Sequence, residues 1–194
     1  MYELFILSKL MHRPMHGYLI HAILNFAIGP FRQVSWGTLY PLMKKLENAG
    51  LIVAVDEAGD DPRGKKRYRT TAAGRARFFE LMRLRGEFDS DSPDLFSLKV
   101  GCFGHLDEEE RQLVMKDYRN YLGQVMAHSE AMTSRVESES DLPAEERRFA
   151  LLALGHKRAV AEAELQWIET LLKEPRSLAS RPNKTKAAQS KDRR

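Results

Sequence analysis

The chain has 194 residues, 43 % of them hydrophobic and 30 % charged, and its formal net charge is +4. Such a composition is typical of a globular protein and excludes a disordered or fibrous one, and the length predicts one or two modest domains. The charge is uneven, since residues 1–86 carry +7, residues 87–174 carry −9 and residues 175–194 carry +6. We therefore expect the first part of the chain to bind a polyanion.

The beginning of the chain predicts two helices separated by Pro14. Apolar residues at helical spacing favour a first helix over 2–11. Pro14 ends it, because proline disfavours helical geometry in the preceding residue and suits the start of a new helix. The second helix is expected over about 15–27 and is ended by Gly29-Pro30. The side chains expected on its buried side are Tyr18, Ile20, Ile23, Leu24 and Ala27.

A third helix is predicted from Ser35, a good N-cap, to Ala49, with Gly50 ending it in a left-handed conformation. Its expected buried stripe consists of Leu39, Leu42, Met43 and Leu46. On another face, residues four apart form one exposed line, which consists of Trp36, Tyr40 and Lys44. Two aromatic side chains and a cation are unusual on a merely solvated surface, although inward packing of Trp36 is the alternative.

The hydrophobic period then changes to that of β-strands. The segments 51–55 and 66–70 predict two strands joined by the loop 56–65. The far side of this hairpin is basic and contains Arg63, Lys65, Lys66 and Arg67. Thr71 is expected to cap a fourth helix over about 72–85. The order helix, helix, helix, hairpin, helix therefore predicts a winged helix-turn-helix.

A helix-turn-helix binds DNA by placing its later helix in the major groove. The hydroxyl groups of Ser35, Thr38 and Tyr40 can donate hydrogen bonds there, and Lys44 can reach a phosphate. Trp36 and Tyr40 can pack on sugars or thymine methyl groups. The basic hairpin is expected to contact phosphates or a neighbouring minor groove, and the alternative is that it is only a solvated turn.

The same segments resemble a known family. The residues that carry the resemblance are His16-Gly17-Tyr18, Val34-Ser35-Trp36-Gly37-Thr38-Leu39-Tyr40-Pro41, Leu46-Glu47 followed by Gly50-Leu51-Ile52, and Arg67-Tyr68 before Thr71 and Gly74. Over nearly all of residues 4–85 they are similar to the winged-helix domain of PadR family transcriptional regulators. The resemblance implies DNA-contact or domain-supporting roles for Tyr18, Ser35, Thr38, Tyr40 and the basic hairpin. Two residues depart from the family pattern, Trp36 and Thr70, and the first is expected to alter operator preference.

The second half of the chain predicts two long helices. A polar, acidic stretch up to Asp94, which is either a connector or a helix boundary, precedes an apolar segment over 95–103. Asp107, with Glu110 three residues later, predicts the start of a helix that reaches about Glu139. Its heptad-like seam consists of Val114, Tyr118, Tyr121, Val125 and Met132, widened by Leu113, Leu122 and Met126. A second helix is expected over 144–173, with an apolar stripe of Ala153, His156, Val160, Ala163, Trp167 and Leu171.

Two such helices cannot bury both wide stripes against each other, so a partner chain is expected. Longer members of the PadR family resemble this arrangement and form two-fold dimers through a C-terminal helical domain. The candidate dimerisation residues are Val114, Tyr118, Tyr121, Val125, Met132, Val160, Trp167 and Leu171. The predicted domains are thus 1–86 for DNA binding and 87–174 for dimerisation and an effector. A disordered basic tail is predicted over 175–194, which either adds DNA affinity or only aids solubility.

No catalytic, metal or cofactor site is predicted. His12, His16 and His21 lack the shared helical face that a metal pair needs. The single cysteine, Cys102, can form neither an intrachain disulfide nor a zinc site alone, and it is expected to be an inert core residue in a reducing compartment. No stretch approaches the roughly 20 apolar residues of a membrane-spanning helix, and no export signal is visible. We therefore expect a cytoplasmic protein with no membrane partner.

The sequence thus predicts a mainly α-helical protein with an N-terminal winged helix-turn-helix and a C-terminal long-helix dimerisation domain. By resemblance, it is expected to be a homodimeric repressor that occludes promoters at a palindromic operator. PadR-like regulators often respond to phenolic acids or hydrophobic drugs, which implies an aromatic or amphipathic effector. Its expected pocket residues are Phe88, Phe96, Phe103 and Trp167, for which a core role is the alternative. Two other classes stay open, a protein-interaction module and an enzyme in the C-terminal domain.

Overall fold

The computed structural model describes residues 1–55, 66–84 and 87–173. The chain divides into two compact units, Met1–Cys102 and Phe103–Arg194. Two predictions, the basic hairpin tip with Arg63 and Lys65 and the basic tail over 175–194, lie outside the described residues.

The first unit consists of short helices around one small sheet. Its helices are α1 (Tyr2–Leu10), α2 (Gly17–Ala27), α3 (Trp36–Asn48), α4 (Ala72–Arg83) and α5 (Ser92–Val100). Its strands are β1 (Met15–His16), β2 (Ile52–Val55) and β3 (Arg67–Thr70), in the antiparallel order β1-β3-β2. The predicted mainly helical winged-helix class is confirmed.

The strand β1 corrects the prediction for the second helix. Met15 pairs with Tyr68 and His16 with Arg67. The helix therefore begins at Gly17 rather than at residue 15, because pairing with a strand some 50 residues later holds these two residues extended.

The buried side of α2 is also narrower than predicted. Ile20 and Leu24 are fully buried, but Tyr18 is 52 % exposed and Ala27 is exposed as well. Tyr18 is two residues from Ile20 and so lies on the other side of the helix. Ala27 is the last residue of the helix, one turn beyond Leu24, its last buried residue.

The helix α3 begins and ends as predicted. The Ser35 side chain accepts a hydrogen bond from the Thr38 amide at 3.2 Å. Gly50 has φ +69°, and the Leu51 amide donates to the Leu46 carbonyl at 2.9 Å. These are the bonds of a left-handed glycine cap, and they fix where the chain turns from α3 into β2.

The helix α5 begins at Ser92, within the acidic stretch up to Asp94, for which a helix boundary was one of the two predicted alternatives. Pro93 and Asp94 lie within its first turn, where proline needs no amide partner and an acidic side chain favours the helix N-terminus. Arg32 pairs with Asp91 at 3.3 Å and with Asp94 at 2.6 Å. This ion-pair group ties α5 to the segment between α2 and α3, so the first unit extends beyond residue 86.

The second unit contains a 3₁₀ turn, Phe103–His105, and two long helices, α6 (Glu108–Ser138) and α7 (Ala144–Lys173). The predicted capping box is present, since Asp107 accepts from the Glu110 amide at 2.8 Å and the Glu110 side chain accepts from the Asp107 amide. Five residues, 139–143, connect the two helices and reverse the chain, so that α7 packs against α6. No helix in the described part of the chain is long and apolar enough to cross a membrane.

Candidate nucleic-acid interface

The helix α3 divides sharply into a buried and an exposed side. Leu39, Met43 and Leu46 are at most 4 % exposed and pack into the first unit. Trp36 and Tyr40 are 47 % and 63 % exposed, and Lys44 is exposed too. The apolar stripe therefore holds the helix in place while the predicted line of two aromatic rings and a cation points to solvent.

The first turn of α3 presents several polar groups. The Oγ atom of Ser35 lies 3.2 Å from Oγ1 of Thr38 while it accepts from the Thr38 amide. A hydroxyl group that accepts at the cap retains its own hydrogen to donate. Pro41, inside the helix, has no amide hydrogen for the Gly37 carbonyl, which is therefore left as an acceptor for another donor. This end of α3 thus offers both donors and an acceptor.

Trp36 is held in place by a side chain of α2. Its ring stacks on that of His21, with centroids 4.2 Å apart and planes 16° apart. Nε2 of His21 lies 2.7 Å from the Val34 carbonyl oxygen. Because a carbonyl can only accept, this nitrogen carries a hydrogen. One face of the indole is therefore covered by a fixed imidazole, and nearly half of the side chain is exposed.

Asn25 completes the support on α2. Its Oδ1 accepts from the Val34 amide at 2.7 Å, and its Nδ2 donates to the Val34 carbonyl at 3.3 Å. Both backbone groups of Val34 are thus bonded to side chains of α2 immediately before α3 begins. Sequence analysis missed His21 and Asn25 in this role. The sequence shows that they are four residues apart on one helix face, but it does not show that both form hydrogen bonds with Val34.

A groove of about 490 Å³ opens beside α3. Its walls come from the start of α2, the exposed line of α3 and the strand β3. The residues that line it, the aromatic groove, are His16, Gly17, Tyr18, Trp36, Tyr40, Met43, Lys44, Glu47, Lys66 and Tyr68. The rings of His16 and Tyr18 stack with centroids 5.5 Å apart. Burial raises the pKa of Tyr68 above its usual range, and Glu47 and Tyr40 add to this, so its phenol stays protonated as a hydrogen-bond donor.

The fold brings most of the predicted DNA-contact residues together in the first unit. Five of them line the aromatic groove, namely Tyr18, Trp36, Tyr40, Lys44 and Lys66. Ser35 and Thr38 lie at the start of α3. Arg67 donates to the Pro14 carbonyl at 3.4 Å, which joins β3 to the segment before β1. The groove residues that sequence analysis did not single out for the site are His16, Gly17, Met43, Glu47 and Tyr68.

The predicted dimerisation residues occupy three different environments in the second unit. Val114 and Tyr118 are buried within it, and the Tyr118 hydroxyl donates to Glu164 at 2.5 Å. Val160 and Trp167 on α7 are each 48 % exposed. The half-buried members are Tyr121, Val125, Met132 and Leu171. Within one chain, Val160 and Trp167 are the members most accessible to a partner.

Other reactive side chains form no site in the described part of the chain. Cys102 is 5 % exposed, and burial raises the pKa of its thiol. A buried, protonated thiol is a poor nucleophile. Among residues 1–55, 66–84 and 87–173, no group of three or more His, Cys, Asp or Glu could hold a metal ion.

Comparisons with known proteins find one matching family, over a part of the first unit. The model of the transcriptional regulator PadR-like family matches residues 6–80. No curated protein matches the chain. The chain is similar to the crystal structure of Bacillus subtilis PadR in complex with operator DNA, at 19 % identity and a TM-score of 0.41, covering 88 % of this chain and 96 % of that one.

Two further structures are similar to the chain. For B. subtilis PadR in complex with p-coumaric acid, the identity is 19 %, the TM-score 0.39 and the coverage 90 % of this chain and 98 % of that one. For the Vibrio cholerae virulence activator AphA, the identity is 23 %, the TM-score 0.38 and the coverage 92 % and 100 %. At such TM-scores these likenesses give no information on ligands or assembly. The matched family consists of regulators rather than enzymes, as the sequence predicts. Residues 6–80 are therefore similar to the PadR-like family of transcriptional regulators.

Proposed function

We propose that this chain binds duplex DNA sequence-specifically by placing α3 in the major groove. The observation that carries the proposal is the exposed line of Trp36, Tyr40 and Lys44 over the buried stripe of the same helix. A helix that is fixed by its apolar side and is polar at its N-terminal turn is the element that a helix-turn-helix places in the major groove. The net charge of +7 on residues 1–86 favours a polyanionic partner.

Roles follow from the chemistry of each side chain. Ser35 and Thr38, at the start of α3, are proposed to donate to base edges or phosphates, and Tyr40 to add a phenolic hydroxyl and a ring for thymine methyl contact. Lys44 and Lys66 are proposed to neutralise phosphates. Tyr18, which also lines the aromatic groove, is proposed to contact the sugar-phosphate backbone.

We further propose that the protein acts in the cytoplasm as a homodimer on a palindromic operator and represses by covering promoter DNA. The dimer is proposed to form through the exposed face of α7, on which Leu152, Val160 and Trp167 follow one another at helical spacing. Two copies would then present two α3 helices to successive major grooves. Repression rests on the family resemblance, and its test is promoter-specific loss of transcription when the protein is added in vitro.

The DNA proposal is tested by fluorescence-anisotropy titration against the duplex upstream of the protein's own gene and against unrelated duplex, at several salt concentrations. Tyr40→Ala is expected to reduce the preference for the specific duplex. Lys44→Ala is expected to lower the slope of log affinity against log salt by about 0.9, the value for one phosphate contact. Lys116→Ala, an exposed helical lysine of the second unit, is the control and should leave both unchanged.

The outcomes separate the alternatives. Absence of binding to any duplex at low salt would contradict the proposal and favour the protein-interaction module. Specific binding that Tyr40→Ala and Lys44→Ala leave intact would place the interface elsewhere in the chain.

The dimer proposal has a matched pair of variants on α7. Trp167→Glu places a charge on the proposed interface and is expected to convert the dimer to a monomer in sedimentation velocity. Gln166→Glu adds the same charge at the neighbouring exposed position, on another side of the helix, and should leave the dimer intact. A monomeric native chain, or a Trp167→Glu dimer as tight as the native one, would contradict the proposed interface.

A further inference from the structure

We propose that His21 is a positioning residue for DNA recognition, and that the indole ring which it holds, that of Trp36, reads the 5-methyl group of thymine. This role rests on the proposed function, because it assigns a base contact to the exposed side of α3. His21 itself lies on α2 and acts through Trp36, on which its ring stacks.

A chain of side-chain contacts holds the indole in one orientation before any DNA is present. The imidazole of His21 covers one face of the indole, with the two ring centroids 4.2 Å apart. Nε2 of His21 donates to the Val34 carbonyl at 2.7 Å, which fixes the imidazole in turn. Asn25 bonds to both backbone groups of the same Val34. A ring that is already held loses little conformational entropy on binding, which favours a directional contact over a loose one.

Trp36 stands where a recognition helix meets the edges of bases. It is the first residue of α3, and 47 % of it is exposed. In a helix-turn-helix, the N-terminal residues of the later helix contact the bases, whereas phosphate contacts come from cationic and hydroxyl groups. The cations of the aromatic groove, Lys44 and Lys66, suit the phosphates. The indole is therefore the group of this face that suits an apolar base contact.

Thymine is the base that offers an apolar group to such a ring in the major groove. The edges of the other three bases display hydrogen-bond donors and acceptors, whereas thymine displays a 5-methyl group beside its carbonyl. A polar base edge against the indole would lose water without gaining a hydrogen bond, which is unfavourable. The fixed indole therefore favours thymine at one position of each half-site and disfavours the other bases there.

The base contact is tested with deoxyuridine, which lacks only the methyl group of thymidine. The thymines of the duplex upstream of the protein's own gene are replaced one at a time, and binding is followed by fluorescence anisotropy of the labelled duplex. For the native protein, one thymine of each half-site should be found at which the replacement weakens binding about fourfold, the effect of one buried methyl group. Trp36→Ala should remove the difference between thymine and deoxyuridine at that position.

Three variants on α2 separate positioning from general support of the fold. His21→Gln keeps a donor for the Val34 carbonyl but has no ring, and it should lose the thymine preference. His21→Phe keeps a stacking ring, while Asn25 still donates to the Val34 carbonyl at 3.3 Å, and it should retain the preference. Phe26→Ala, which removes a ring that is 90 % exposed on another side of α2, is the matched control and should retain it too. A merely structural role of His21 would weaken binding to both duplexes equally.

The positioning itself is measured without DNA, in the full chain carrying Trp167→Phe. Time-resolved fluorescence anisotropy should show that the indole of Trp36 moves only with the protein as a whole, both with His21 present and in His21→Phe. In His21→Gln the indole should gain fast local motion, because its stacking partner is gone. Local motion that is the same in all three proteins would overturn the role of His21.

The results also separate this role from the proposed function. Sequence-specific binding in which no deoxyuridine effect depends on Trp36 would overturn the thymine contact and leave the proposed function intact. A thymine preference that His21→Gln retains would overturn the positioning role. Absence of sequence-specific binding by the native protein would contradict the proposed function, and the thymine contact with it.

Discussion

Replacing Gly74 by alanine is expected to destabilise the first unit, although alanine is the better helix former. Gly74 lies in the first turn of α4, where a Cβ atom would stand 2.0 Å from the Leu51 carbonyl oxygen and 2.4 Å from Oγ1 of Thr70. Real Cβ atoms essentially never approach other atoms so closely, and a backbone oxygen cannot rotate away as a side chain can. Either α4 or the start of β2 must therefore move.

The size of the effect follows from two opposing contributions. In an unobstructed helix, alanine is more favourable than glycine by up to about 1 kcal/mol. An extra methyl group in a well-packed region typically costs about 1–3 kcal/mol. The contact here is with the backbone, and movement would also strain the bonds from Thr71 to the Leu51 and Gly50 carbonyls, at 3.0 and 2.6 Å. We therefore expect a net loss of about 2 kcal/mol.

Urea unfolding followed by circular dichroism measures this loss. With a slope of about 2 kcal/mol per molar urea, the midpoint should fall by about 1 M. The control is Gly123→Ala in α6, where a Cβ atom would meet no other atom within 4 Å, and which should be neutral or stabilising. A Gly74→Ala protein at least as stable as the native one would refute the close packing of α4 against Leu51.

Three further predictions concern a cap, a buried phenol and the support of the exposed indole. Asp107→Ala should lower the free energy of unfolding of the second unit by about 1 kcal/mol in urea titration, whereas Asp107→Asn, which retains a capping oxygen, should change it little. Burial and the hydrogen bond to Glu164 raise the pKa of Tyr118. The stability of the second unit should therefore fall as the pH rises above about 10, where the unfolded tyrosine ionises, and Tyr118→Phe should flatten this dependence. His21→Ala should increase quenching of Trp36 fluorescence by acrylamide in a Trp167→Phe background, because the covered indole face becomes accessible.

For each of these three predictions, one result would contradict the contact on which it depends. Equal stability of the alanine and asparagine variants at Asp107 would argue against the capping box. An unchanged alkaline dependence in Tyr118→Phe would assign it to other tyrosines. Unaltered quenching in His21→Ala would show that the imidazole does not protect Trp36 in solution.

The sequence predicted the local parts of the fold well. Ser35, Thr71 and Asp107 cap the helices that follow them, and Gly50 ends α3, because each acts on groups within a few residues. The exposed and buried sides of α3 were also predicted, since both follow from the helical period alone.

What the sequence did not predict depends on contacts between distant residues. β1 exists because Met15 and His16 pair with β3, which no local pattern of two residues can indicate. The same holds for the stacking of Trp36 on His21 and for the hydrogen bonds of His21 and Asn25 with the backbone of Val34. On α7, apolar residues occur on more than one face. The periodicity predicted an apolar stripe that contains Val160 and Trp167. The residues of α7 that are buried within the chain are instead Ala161 and Ile168.

The central claim, that the α3 face meets DNA, is tested most directly by fluorine NMR of the chain labelled with 5-fluorotryptophan. The chain has two tryptophans, one at the proposed interface and one on α7. Addition of the duplex from upstream of the protein's own gene should shift the Trp36 resonance in proportion to the bound fraction, and leave the Trp167 chemical shift unchanged. A saturating titration in which the Trp167 resonance shifts and that of Trp36 stays in place would contradict the account.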